Sequence, residues 1–163
     1  MQVVVAGDME VEKHVKAAGA LEVSAALYDA DGTLVAQGRK KVADKAEGIA
    51  KETISLKVKK PRRWNLDAPN LYTLKTELLC DGKRIDGSST NVGLRTLKFD
   101  ANKGFALNGE WMKVKGVCLH HDAGVLGAVV PPEVWERRLR NLNEIGVKAI
   151  RMCHNPQAPE LND

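Results

Sequence analysis

The sequence predicts a mainly β chain, an antiparallel β-sandwich over residues 1–98 followed by a strand–helix–strand unit over residues 99–163. Two observations carry this. Short runs of alternating apolar and polar residues, bounded by Asp, Gly and Pro turns every ~8–12 residues, fill the first hundred positions, which is the pattern of an immunoglobulin-like sandwich. Beyond residue 98 the apolar period switches to helical spacing between two short apolar runs, which is the pattern of a βαβ unit with two parallel strands. A content of 44% hydrophobic and 28% charged residues excludes a disordered or collagen-like chain.

The elements follow in order. Residues 11–15 are read as a first strand. Residues 21–28 alternate around an apolar face, and Asp29-Ala-Asp-Gly32 turns the chain into a returning strand at 33–37. Residues 53–59 have period two, with Ile54, Leu56 and Val58 inward and Ser55, Lys57 and Lys59 outward. A strand at 71–79 leads through Asp81-Gly82 into two short strands at 84–86 and 90–95. About seven strands are expected. No Cys…Trp…Cys spacing is present, so the sandwich lacks the antibody disulfide.

In the second segment Asn108-Gly109 lies between residues 104–108 and 110–114, a β-hairpin signal. Residues 114–119 continue as an apolar strand into His120-His121-Asp122. Pro132 and Glu133 suit the first turn of a helix whose Trp135, Leu139, Leu142 and Ile145 recur on one face. Gly146 suits its end, and residues 147–153 form the second strand. Parallel sheets are normally buried on both faces, and one helix covers only one. The unit therefore reads as the opening of a larger α/β domain, and the chain as a piece of a longer one.

The net charge of +4 is confined to the sandwich, where residues 1–98 carry 17 Lys/Arg against 13 Asp/Glu. Its most basic stretch, Lys57-Val-Lys-Lys-Pro-Arg-Arg63, has no interleaved aromatics to stack bases, so no nucleic acid is expected as partner. Lysines on a strand that stops at Pro61 instead discourage edge pairing. No apolar run approaches the ~20 residues of a membrane span, and the first residues lack the basic start of a signal peptide. Cys80, Cys118 and Cys153 form no CxxC pair and read as small hydrophobes, which leans toward a reducing compartment.

Five motifs in order carry a resemblance. They are Arg63-Trp64-Asn-Leu-Asp-Ala-Pro69-Asn-Leu71-Tyr72, Val92-Gly93-Leu-Arg95, Lys103-Gly104-Phe-Ala-Leu107-Asn108-Gly109, Lys115-Gly116-Val117-Cys-Leu-His120 and Ala149-Ile150-Arg151-Met-Cys-His154-Asn-Pro156. Together they resemble glycoside hydrolase family 2, the β-galactosidase, β-glucuronidase and β-mannosidase family. The resemblance implies an immunoglobulin-like sandwich over residues 1–98. It implies the leading hairpin, first strand, first helix and second strand of a truncated (β/α)8 barrel over 99–163. The intact parent is then a retaining enzyme acting on terminal β-glycosides, most like a β-galactosidase. Both catalytic glutamates, one of them in an Asn-Glu motif, are implied on later strands, and neither motif is read here. This chain alone is expected to be inactive.

By the same resemblance His120, Arg151 and His154 contact the carbohydrate substrate in the intact parent. Trp64, Pro69, Tyr72, Gly93, Arg95, Gly104, Asn108, Gly109 and Gly116 are structural positions. No catalytic residue, no metal ligand and no cofactor is assigned to this fragment, while metal dependence varies among family members. His120-His121-Asp122 suggests a metal site, but adjacent strand residues point to opposite faces and cannot both bind one ion. Trp64 and Tyr72 beside a strand entry, and Trp111 and Trp135, are read as packing residues. Val117, Leu119, Leu142 and Ile150 are expected to be hidden by the sandwich or by a second copy in a homo-oligomer. The rival reading is a stand-alone immunoglobulin-like binding or adhesion module with no enzymatic parent.

Overall fold

The computed structural model describes residues 2–13, 19–43, 48–152, 154 and 161. The chain divides into two compact units, Met1–Arg95 and Thr96–Asp163. Among the described residues no helix is long and apolar enough to cross a membrane.

The first unit holds six strands among the described residues: β1 (Gln2–Lys13), β2 (Leu21–Tyr28), β3 (Leu34–Lys41), β4 (Gly48–Lys59), β5 (Tyr72–Cys80) and β6 (Lys83–Val92). All pairings are antiparallel, β1 with β4 in one sheet and β3-β2-β5-β6 in the other. The period-two pattern of β4 buries Ala50, Ile54, Leu56 and Val58, and these meet Val23, Ala25 and Leu27 of β2 in the core. Leu27 has no exposed surface. At Gly38 in β3 an added Cβ would stand 2.8 Å from Ile54 Cγ2, so that backbone packs directly on β4 side chains.

Several details differ from expectation. The first strand begins at Gln2, and its expected end at Val15 lies outside the described residues. Residues 83–92 form one strand with a bulge between Leu78 and Leu79 of its partner, because pairing to β5 carries the chain through Gly87-Ser88-Ser89. Both hairpin turns use the residues that tolerate positive φ. Asp81 and Gly82 have φ of 48° and 77°, and Asp29 Oδ1 accepts hydrogen bonds from the amides of Asp31 and Thr33 before β3.

The second unit opens with a three-stranded antiparallel sheet, β7 (Leu97–Asp100), β8 (Gly104–Leu107) and β9 (Glu110–Met112). β7 is an addition to the expected hairpin. Asn108 and Gly109, with φ of 54° and 91°, turn β8 into β9, and Asn108 Oδ1 accepts the Thr96 amide at 3.1 Å. Next come β10 (Gly116–Leu119), helix α1 (Pro132–Glu144) and β11 (Ala149–Met152), with β10 and β11 parallel. Pro132 occupies the first helical turn, Glu133 lies in it, and Gly146 has φ of 85° just past the end. Trp111 is exposed, with the ammonium groups of Lys98 and Lys103 5.6 and 5.8 Å from its ring, so the packing expected there is cation–π contact at the surface.

Candidate functional site

The parallel pair β10–β11 sorts its residues by face. Gly116, Val117, Cys118 and Leu119 stand opposite Ala149, Ile150, Arg151 and Met152. Opposed residues in a parallel pair point the same way and successive residues alternate. Val117, Leu119, Ile150 and Met152 are half-buried on one face. His121 continues that face, its imidazole 5.8 Å from the ring of Trp135 on α1. The other face carries Cys118 and Arg151, both exposed, and the exposed His120 directly follows Leu119 at the end of β10. α1 therefore covers the apolar face and leaves the polar one open. Leu142 of α1 is also half-buried, so the four apolar residues expected to need cover have part of it within their own unit.

His120 and His154 follow the C-terminal ends of the two strands, and both are exposed. His154 has φ of 58°, a left-handed conformation that turns the chain directly after β11. Register places Cys118 beside Arg151 on the open face, whereas His120 and His154 both lie past their strands, where alternation no longer fixes their direction. Imidazole and guanidinium at such a strand end donate hydrogen bonds to hydroxyl or carboxylate groups. Asp122 is exposed, while Glu160, Asp163, Cys153, Asn155 and Pro156 lie outside the described residues. Among the described residues no cluster of three His, Cys, Asp or Glu is placed to hold a metal ion.

Contrary to expectation, this segment contains an Asn-Glu motif. Asn143-Glu144 forms the last two residues of α1, both exposed. Asn143 Oδ1 accepts from Lys148 Nζ at 2.8 Å. The C-terminus of α1 adjoins the start of β11, the end of the unit opposite His120 and His154, so this pair is not aimed at their site.

The segment before β5 closes on itself. Tyr72 is buried and its Oη accepts the Arg62 amide at 2.8 Å. Asn65 Oδ1 accepts from Asp67 and Ala68, and Asn70 Nδ2 donates to the Arg63 carbonyl. Trp64 bridges Pro69, donates its amide to Leu94 and lies under the Arg95 guanidinium at 4.9 Å. A Cβ on Gly93 would stand 3.0 Å from Trp64, so these positions lock one another. Gly104 adopts φ of 81° where the chain turns into β8. Gly116 starts β10 with room for only a tight Cβ, 3.1 Å from the Ala149 carbonyl. A cleft of about 350 Å³ lies beside β1, lined by Glu10, Val11, Thr76, Leu78, Asp86 and Ser88 among others. Sequence patterning gave no sign of it, because its walls come from strands far apart in the chain.

Comparison with known proteins places these features in a family. Residues 2–95 match the model of glycosyl hydrolases family 2. A β-galactosidase of Bacteroides ovatus is 45% identical over 141 residues, 86% of this chain and 17% of that protein. A β-glucuronidase of Bacteroides fragilis is 35% identical over 82% of this chain and 21% of its own length. The crystal structure of a glycosyl hydrolase family 2 member from Bacteroides cellulosilyticus superposes with a TM-score of 0.92 at 32% identity. That match covers 98% of this chain and 22% of the other. The chain thus spans about a fifth or less of the curated relatives named here. It belongs to glycoside hydrolase family 2, as one segment of a protein of that family.

Proposed function

We propose that this chain is a non-catalytic segment of a retaining glycoside hydrolase acting on terminal β-glycosides. Residues 1–98 form its immunoglobulin-like sandwich, and residues 99–163 open its (β/α)8 barrel. The observation that carries the reading is the polarity of the β10–α1–β11 unit. In such a barrel the helices lie outside and substrate sits at the C-terminal ends of the strands. Arg151 occupies the face turned away from α1, while His120 and His154 follow the C-terminal ends of the two strands.

Retaining hydrolysis needs two carboxyl groups ~5–5.5 Å apart across the glycosidic bond, one to protonate the leaving oxygen and one to attack the anomeric carbon. This segment supplies the hydrogen-bonding wall of the pocket and not that pair. A β-galactoside is the favoured substrate, supported by the 45% identity to a β-galactosidase against 35% to a β-glucuronidase. The stand-alone binding module loses support, because the resemblance continues past the sandwich into β10–α1–β11. The test is kinetic and uses the intact enzyme built around this segment, assayed on aryl β-galactoside and aryl β-glucuronide. His120→Ala and Arg151→Ala should each reduce kcat/KM by about 10-fold or more, the scale of a lost hydrogen bond to substrate. Wild-type kinetics in both variants would remove the pocket assignment, and turnover of the glucuronide alone would replace the galactoside.

A further inference from the structure

The strand end carrying His120 is fastened to α1 through the two residues that follow it. The His121 imidazole rests against the Trp135 indole, and Arg138 Nη1 donates to the Asp122 carbonyl oxygen. The same guanidinium lies 5.3 Å from the Trp135 ring centroid. Trp135 and Arg138 are three residues apart and so share one face of α1. Trp135 is 3% exposed, which makes it a fixed platform. Beyond Asp122 the loop is held by short local bonds, Ala123 N–H to the Gly127 carbonyl and Gly127 N–H to the Gly124 carbonyl.

We propose that Arg138 is a positioning residue for His120, clamping the Asp122 carbonyl to the Trp135 platform so that the imidazole of His120 keeps a fixed direction at the end of β10. The role rests on the reading of His120 as a sugar contact. The chemistry suits arginine in particular. A planar guanidinium stacks on an indole and donates in its own plane at the same time. Lysine donates without stacking as well, and methionine packs without donating. The order Arg, Lys, Met therefore grades the clamp.

Two measurements test it. In this 163-residue chain, Arg138→Met should speed amide exchange at Ala123 and Gly127 by about 10-fold or more, as expected when a local tether is lost. Arg138→Lys should fall between that variant and the wild type. The Lys148 and Ala149 amides, bonded to the Lys115 carbonyl, should not change. In the intact enzyme Arg138→Met should raise KM for the aryl β-glycoside by roughly 3- to 10-fold, with Arg138→Lys recovering part of the loss. It should add nothing further in a His120→Ala background. Unchanged exchange at Ala123 and Gly127, or additive kinetic losses in the double variant, would overturn the proposal. Wild-type kinetics in His120→Ala retires the sugar contact instead, and the clamp then stands or falls on the exchange result.

Discussion

Replacing Gly93 with alanine probes the lock between Trp64 and the end of β6. The new Cβ would stand 3.0 Å from Trp64 Cβ, Cγ and Cδ1. Carbon atoms rest at about 3.5–4.0 Å, so the indole must retreat by roughly half an ångström. Its freedom to do so is small, since the Trp64 amide donates to the Leu94 carbonyl at 3.0 Å and Arg95 stacks on the ring. Overpacking of this kind costs about 1–3 kcal/mol. Gly93 is not in the left-handed region, so alanine recovers about 0.4–1 kcal/mol by restricting the unfolded chain. The net loss is about 1–2 kcal/mol, equivalent to a Tm drop of about 4–15 °C for a unit of this size. Urea unfolding followed by far-ultraviolet circular dichroism measures it. Trp64→Leu in the Gly93→Ala background should relieve the clash, giving a coupling of about 1 kcal/mol. A Gly93→Ala chain as stable as the wild type, or strictly additive costs, would mean that the added Cβ does not clash with Trp64.

Other substitutions separate strong from weak contributions. Leu27→Ala, at a side chain with no exposed surface, should cost about 3–5 kcal/mol by the same unfolding assay. Gly109→Val places a β-branched residue at φ of 91° and should cost about 1–2 kcal/mol, read as faster exchange of the β8–β9 amides. Glu136→Ala removes an i,i+4 ion pair to Arg140 that is 68% exposed on both sides. It should change stability by less than about 0.5 kcal/mol, and a larger loss in the urea midpoint would contradict the solvent-screened reading.

Legibility in the sequence varied with how local the cause was. The alternation in β4 and the Asn108-Gly109 turn depend on neighbouring residues, and both appear in the structure where the pattern puts them. β6 did not, because Gly87-Ser88-Ser89 has poor intrinsic strand preference and is held extended by β5. β1 was seen only in part, since Gly7-Asp8 reads as a turn and its pairing partner Thr53-Ile54 lies far along the chain. At the site, the motifs marked His120, Arg151 and His154, but spacing alone says nothing about a shared face. That depends on the register Cys118 to Arg151, which is set by the lengths of the loop and of α1. The Arg138–Asp122 contact is illegible in the sequence for the same reason, because the two residues are 16 positions apart and meet only once α1 has folded back.

The proposed role, shaping the site of a β-glycosidase without performing the reaction, is open to a direct measurement. Its most direct test compares turnover of an aryl β-galactoside by the purified 163-residue chain and by the intact enzyme under identical conditions. The intact enzyme should release the aryl alcohol, and the chain should release none above buffer. Turnover by the chain that is abolished in Asp122→Asn, the exposed carboxylate beside His120, would contradict that role.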